Sequence, residues 1–209
     1  MAEFDFLHFL FQTHENRYWI LTDKSSGISI QNKMPGFTVS DTDGHRQPSI
    51  PVIWEQGNQS QQNLTNLDAL ADIVEFSADY QGLQLTLEFA SPREIPLFLY
   101  RISCVNNRKT AIRMNTFQML IAEEIPNIHF PDTKPDLACF ANGWQSWSFS
   151  GVYRADQKQT LSGLLFLQQA LWHNKSTPLP GIAGLFGSDF FTVVIDRGHQ
   201  SGILAGFLS

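Results

Sequence analysis

Residues Asn142 to Gly151 read NGWQSWSFSG, a polar stretch that holds two of the chain's five tryptophans three positions apart. An indole stacks on the C–H-rich face of a sugar, and Asn and Gln amides pair with its hydroxyls. In an extended chain, residues an odd number apart point to opposite faces. Trp144 would then side with Ser146, and Trp147 with Gly143, Gln145 and Phe149. One ring can anchor the segment while the other is presented outward, unless a bulge at Gly143 changes the assignment. Trp147 is the candidate stacking ring; Asn142, Gln145 and Ser146 are the candidate hydrogen-bonding groups. A structural reading stands beside this one. Buried tryptophans with a satisfied N–H are commoner than ligand-stacking ones, and Asn142-Gly143 is also a turn signal.

Other chemistry finds less support. A glycosidase needs two carboxyls about 5–10 Å apart. Glu123-Glu124 read as a solvated strand end, Asp132 and Asp136 as turn residues, and Asp189 and Asp196 as the ends of the strand FFTVVI. No autonomous catalytic pair is expected. The six histidines (His8, His14, His45, His129, His173 and His199) make no i, i+2 or i, i+4 pair with one another, so no metal site is expected. There is no GxGxxG, P-loop or GxSxG pattern, and no cofactor is expected. Cys104 and Cys139 have no CxxC partner; they read as two buried free thiols in a reducing compartment, with a bridge between them as the alternative. Two sequons, at Asn63 and Asn174, carry no meaning without secretion.

The elements that must position the tryptophan motif are strands. Leu83, Leu85, Leu87 and Phe89 alternate with Gln84, Thr86 and Glu88, one dry face and one wet. Gln81-Gly82 supplies a tight hairpin turn before them. A second hairpin is expected from PLFLYRISCV through NNRKT into AIRMNTFQMLI. Phe98, Tyr100, Ile102 and Cys104 would face inward, with Leu97 and Leu99 partly covered on the other side. A third runs from FFTVVID through RGHQ into SGILAGFLS. RYWILTD, SGISIQN and IPVIWEQ add shorter strands. Only NLTNLDALADI is compatible with a helix, through Leu64, Leu67, Leu70 and Ile73. Parallel crossovers need long connections that are missing here. The fold expected is all-β: a large antiparallel sandwich of two packed sheets with very little helix, as a single domain over residues 1–209.

Composition narrows the partners. The 209 residues are 43% hydrophobic and 12% aromatic, enough for a substantial core, with a net charge of −6 and only 16% charged residues. No basic run exists, so neither nucleic acid nor a polybasic membrane surface is an expected partner. MAEFDFLHFLFQ places Glu3 and Asp5 where a secretory leader carries basic residues, and no cleavage site follows. No segment approaches roughly 18 apolar residues, the length that spans a bilayer. The expectation is a cytoplasmic protein. The apolar ending GILAGFLS reads either as a final docked strand or as the edge of a domain detached from a longer protein.

The letters NGWQSW, followed later by GILAGFLS, resemble the N-terminal region of melibiase-type α-galactosidases of glycoside hydrolase family 36. The specific letters are confined to those two stretches, and GFLS alone carries no weight; strand content and order match along the whole chain. The resemblance implies a β-supersandwich domain that precedes a (β/α)8 catalytic barrel. The second tryptophan of the motif, here Trp147, would reach the barrel and line the pocket for the terminal galactose. Asn142, Trp144, Gln145 and Ser146 would shape its loop. The nucleophile and the acid/base of such a retaining enzyme are barrel aspartates, so none is assigned here, and the chain alone would be inactive. The implied partners are the barrel of the same parent protein and α-galactoside sugars. Two readings compete: an autonomous carbohydrate-binding module, and a structural or oligomerisation sandwich, with homo-oligomerisation left open.

Overall fold

A computed structural model describes residues 1–15, 17–40, 52–118, 128–132, 134–142, 150–158, 183–184, 186, 188 and 191–206, with the backbone alone for 37–40 and 113–118. Every regular element among them is a strand, and every pairing is antiparallel. The chain divides into two compact units, Met1–Pro131 and Asp132–Ser209. No helix among the described residues is long and apolar enough to cross a membrane.

The first unit begins with a meander of β1 (Ala2–Asp5), β2 (Phe9–His14), β3 (Tyr18–Asp23) and β4 (Ser29–Lys33). A short strand, β11 (Ile128–His129), joins the β4 edge. Residues β5 (Gly36–Ser40) and β10 (Arg113–Gln118) pair by themselves. A four-stranded sheet follows the order β6 (Glu55–Leu64), β7 (Ala69–Tyr80), β8 (Leu83–Pro92), β9 (Leu99–Asn106). Period-two alternation turns Leu83, Leu85, Leu87 and Phe89 wholly inward. They meet Phe4, Phe6, Phe11 and Trp19 from the meander, and the Phe11 and Phe89 rings stand 4.5 Å apart. Two antiparallel sheets packed on one aromatic interior make a β-sandwich. Each fully buried Phe or Leu contributes about 1.5–3 kcal/mol relative to an exposed one.

Turn chemistry sets the registers. Gln81 and Gly82 both take positive φ (50° and 82°), which is the two-residue turn whose twist suits a hairpin. The stretch NLTNLDALADI is not helical. Leu64 ends β6, Asp68 takes a φ of 47°, and Ala69 opens β7. Its leucines belong to two strands and a turn, so their spacing of three reflects no helical face.

The second hairpin expected from the sequence also resolves differently. β9 pairs with β8, and β10 with β5. The β8 pairing extends past the strand end, because Asn107 donates to the Gly82 carbonyl at 2.9 Å and Arg108 Nε to that of Gln81 at 2.7 Å. Phe98, Tyr100, Ile102 and Cys104 do pack on the core, and Leu99 packs on Ala71, Ile73 and Ala90 at the other face. Of the described residues of IPVIWEQ, 52–56, only the last two are strand. Trp54 precedes it, buried, with Nε1 donating to the Pro35 carbonyl at 3.0 Å.

The second unit contains one described sheet, in the order β13 (Gly151–Arg154), β12 (Leu137–Ala141), β14 (Phe191–Asp196), β15 (Ser201–Gly206). β14 and β15 form the third expected hairpin, with Gln200 at φ 51° in its turn. β12 and β13 form another, and its connection is the tryptophan motif.

Candidate functional site

The stem of that connection is built from ordinary strand pairing. Ala141 stands opposite Gly151 in the last register pair between β12 and β13, and Thr192 of β14 flanks Ala141 on the other side. Thr192 Oγ1 donates to the Phe140 carbonyl at 2.8 Å. With its proton so used, its lone pairs face Cys139 Sγ at 3.4 Å. Both cysteines are free and half-buried rather than buried, and burial raises the Cys104 thiol above its ordinary range.

Asn142 closes the neck of the loop. Its side-chain carbonyl oxygen accepts from Ser150 Oγ at 3.0 Å, joining the first residue after β12 to the last before β13. Its backbone N–H donates to Ser188 Oγ at 2.9 Å. The same hydroxyl lies 3.3 Å from the Asn142 carbonyl and closer still to that of Phe191. One hydroxyl has a single proton, so Ser188 accepts from Asn142 and donates to one carbonyl at a time. Loop entry and the start of β14 are thereby linked through one oxygen. With Oδ1 engaged by Ser150, the part of Asn142 suited to a ligand is its amide N–H2. Trp144, Gln145, Ser146 and Trp147 lie outside the described residues, and so do Glu123, Glu124 and Asp189.

Beside the stem, the register lines up Val152, Phe140, Val193 and Leu204 across all four strands on one face. Val152 and Leu204 are 67% and 70% exposed, and Phe191, two residues from Val193, is 38% exposed. The Phe140 and Phe191 rings stack at 5.5 Å. Tyr153, on the opposite face, is buried against Phe186 at 5.2 Å, and burial pushes its hydroxyl up to about 12.

A second polar cluster sits at the β14–β15 turn, where His–His spacing gives no indication of one. Asp196 ends its strand, as expected, but is 2% exposed. Its Oδ1 accepts the backbone N–H groups of Asp136 (3.1 Å) and Gly198 (3.0 Å). Its Oδ2 accepts from His199 Nδ1 at 2.8 Å, and Asp132 Oδ2 lies 3.8 Å from the same nitrogen. The hydrogen bond to Asp196, then the charges of Asp196 and Asp132, hold the imidazole above its ordinary range. The bond to His199 first, and then those two backbone donors, hold the Asp196 carboxyl below its own range, against the opposing effect of burial. Arg197 meets Asp136 at 3.5 Å. A search limited to His–His spacing misses this group; Asp196-x-x-His199 was the available local signal, and Asp132 had none.

In the first unit, two described carboxylates take arginines: Asp72 takes Arg93 through two nitrogens at 3.1 and 2.9 Å, and Glu88 pairs with Arg101. Asp72 also accepts from Gln61 at 3.0 Å.

Compared with known proteins, the chain matches no family model, no curated protein and no solved structure.

Proposed function

We propose that this chain is the non-catalytic β-sandwich domain of an α-galactosidase-like glycoside hydrolase. It packs on a catalytic barrel and contributes Trp147 to the galactose pocket. Two things support the reading: the letters NGWQSW, and the apolar row Val152–Phe140–Val193–Leu204, exposed at its two ends, in the sheet whose β12 and β13 flank those letters. The row is the observation that carries the choice. A self-sufficient sugar-binding module needs only a local aromatic platform, whereas a row of mostly aliphatic side chains crossing all four strands of the described sheet suits burial against another protein layer. Asn142, Ser150 and Ser188 would then brace the loop, and Trp144, Gln145 and Ser146 would shape it.

The coding sequence that follows Ser209 is the direct test, since this reading requires a barrel there with two aspartates at strand ends. In solution, the chain alone is expected to leave an aryl α-galactoside unhydrolysed and to bind galactose more weakly than millimolar. Millimolar or tighter binding that is lost in Trp147→Ala would establish an autonomous module instead. A stable oligomer in light scattering, unaffected by changes in the motif, would favour an assembly role.

A further inference from the structure

We propose that Asp132, Asp196 and His199 form a binding site for one divalent transition-metal ion at the β14–β15 turn. The three donor atoms, one imidazole nitrogen and two carboxylate oxygens, lie within 4.8 Å of one another. Metal–ligand bonds to such donors are about 2.0–2.2 Å, so atoms around one ion stand at most about 4.4 Å apart. The set is within a few tenths of an ångström of that limit. The adjustment falls on Asp132, whose side chain is 37% exposed, rather than on the enclosed Asp196.

The fold has already oriented the inner ligand. Both backbone N–H groups on Asp196 go to Oδ1, which leaves Oδ2 aimed at His199. Metal-binding carboxylates are characteristically held by such outer donors. His199 sits on a tight turn next to Gln200, and its side chain is 61% exposed, so water can complete the coordination and an ion has a path in. Two carboxylates on one imidazole leave a local negative charge that a dication neutralises. One nitrogen and two oxygens suit Zn2+, Co2+ or Mn2+; Ca2+ takes six to eight oxygens and is disfavoured.

Co2+ titration of the whole chain tests the site through visible absorption and thermal shift. Binding of a single equivalent is expected, without a thiolate-to-cobalt charge-transfer band, because neither Cys104 nor Cys139 belongs to the site. His199→Gln keeps a donor for Asp196 but removes the imidazole, and Asp132→Asn removes the outer carboxylate. Each is expected to weaken binding about tenfold or more, while His129→Gln, an exposed histidine elsewhere, changes nothing. Near-ultraviolet circular dichroism of the metal-free variants confirms that they are folded. The proposal is overturned by no binding at millimolar Co2+, by a thiolate band, or by binding that survives both substitutions. The last two outcomes place any ion elsewhere; the first leaves a proton as the cluster's only cation. None of these outcomes depends on sugar recognition, so the site and the proposed function stand or fall separately.

Discussion

The described parts of the two units bury different kinds of side chain. In Met1–Pro131 the interior is a continuous set of rings and leucines, with Phe11, Phe76, Leu83, Leu85, Leu87 and Phe89 fully enclosed. In Asp132–Ser209 the described buried side chains are Ala138, Ala141, Tyr153 and Asp196, small or polar apart from one ring. Val152 and Leu204 face outward. Among the described residues, single-atom polar ties add to the backbone ladders of the second sheet: Ser188 to Asn142, Ser150 to Asn142, and Asp196 to the turn. A dry aromatic interior supplies stability without specificity for a ligand. Polar ties supply little stability but fix groups that can do chemistry. Asn142 and Ser150 at the ends of the motif, and the Asp–His cluster, belong to the second kind of structure.

The largest expected effect tests this contrast directly. Phe89→Ala should cost about 3–5 kcal/mol, because it removes a ring contacted by Phe11, Phe76, Phe98, Trp19 and Tyr100. Val152→Ala should stay within about 0.5 kcal/mol. Urea midpoints at constant m-value measure both; a similar cost at the two sites would break the distinction.

Backbone packing gives the next effect. A Cβ at Gly202 would stand 2.5 Å from the Val194 carbonyl oxygen and 2.9 Å from Ile195 Cα. Gly202→Ala should therefore part β14 from β15 at a cost of about 1–3 kcal/mol. At Gly82 the nearest atom is the flexible Arg108 Cγ at 3.3 Å, so Gly82→Ala should pay mainly for its φ of +82°, about 1–2 kcal/mol. Thermal melts rank the pair.

Ser188→Ala should cost about 1 kcal/mol, with its main consequence local. The Asn142 amide loses its acceptor, and its hydrogen exchange should quicken while the β7 and β8 amides keep their protection. Unchanged exchange at Asn142 would remove Ser188 from the account of the loop.

The smallest effects are in pH dependence, and they have opposite signs. Burial raises the Asp23 carboxyl, but hydrogen bonds from Ser25 and Ser26 outweigh it and leave the group below 3.8. A depressed pKa adds stability that is present above the unfolded value and is lost as pH falls through the folded one. Asp23→Asn should flatten the acid limb of the stability curve below pH 3.8. Tyr153 is pushed up from 10 to about 12 by burial first and by Cys139 second. Its contribution is whole below pH 10 and disappears as pH rises toward about 12. Phenolate absorption during alkaline titration should show one late tyrosine in the second unit, which Tyr153→Phe removes. Tyr100, more deeply buried, is raised further in the first.

Much of the first sandwich could be read directly from the chain. The run Leu83 to Phe89 encodes its own dry face, and Gln81-Gly82 encodes its turn, because both depend on neighbours within a few residues. β6 could not be read this way. EQGNQSQQNL has no apolar alternation and is a strand because β7 offers it a ladder; a polar edge suits the border of a sheet. The tryptophan motif could be read as letters, and Asn142 as a turn residue, but nothing local named Ser188 or Ser150 as its partners.

Sequence alone determined that this protein is built of antiparallel strands, where the clearest turns fall, and where two tryptophans stand among amides and hydroxyls. These are local properties of side-chain alternation and backbone preference. Tertiary structure alone decided that β9 takes β8 and β10 takes β5, and that Asp132 arrives beside His199. Such choices depend on contacts between segments distant in the chain, where the free energy lies in the pairing and no single segment carries its sign.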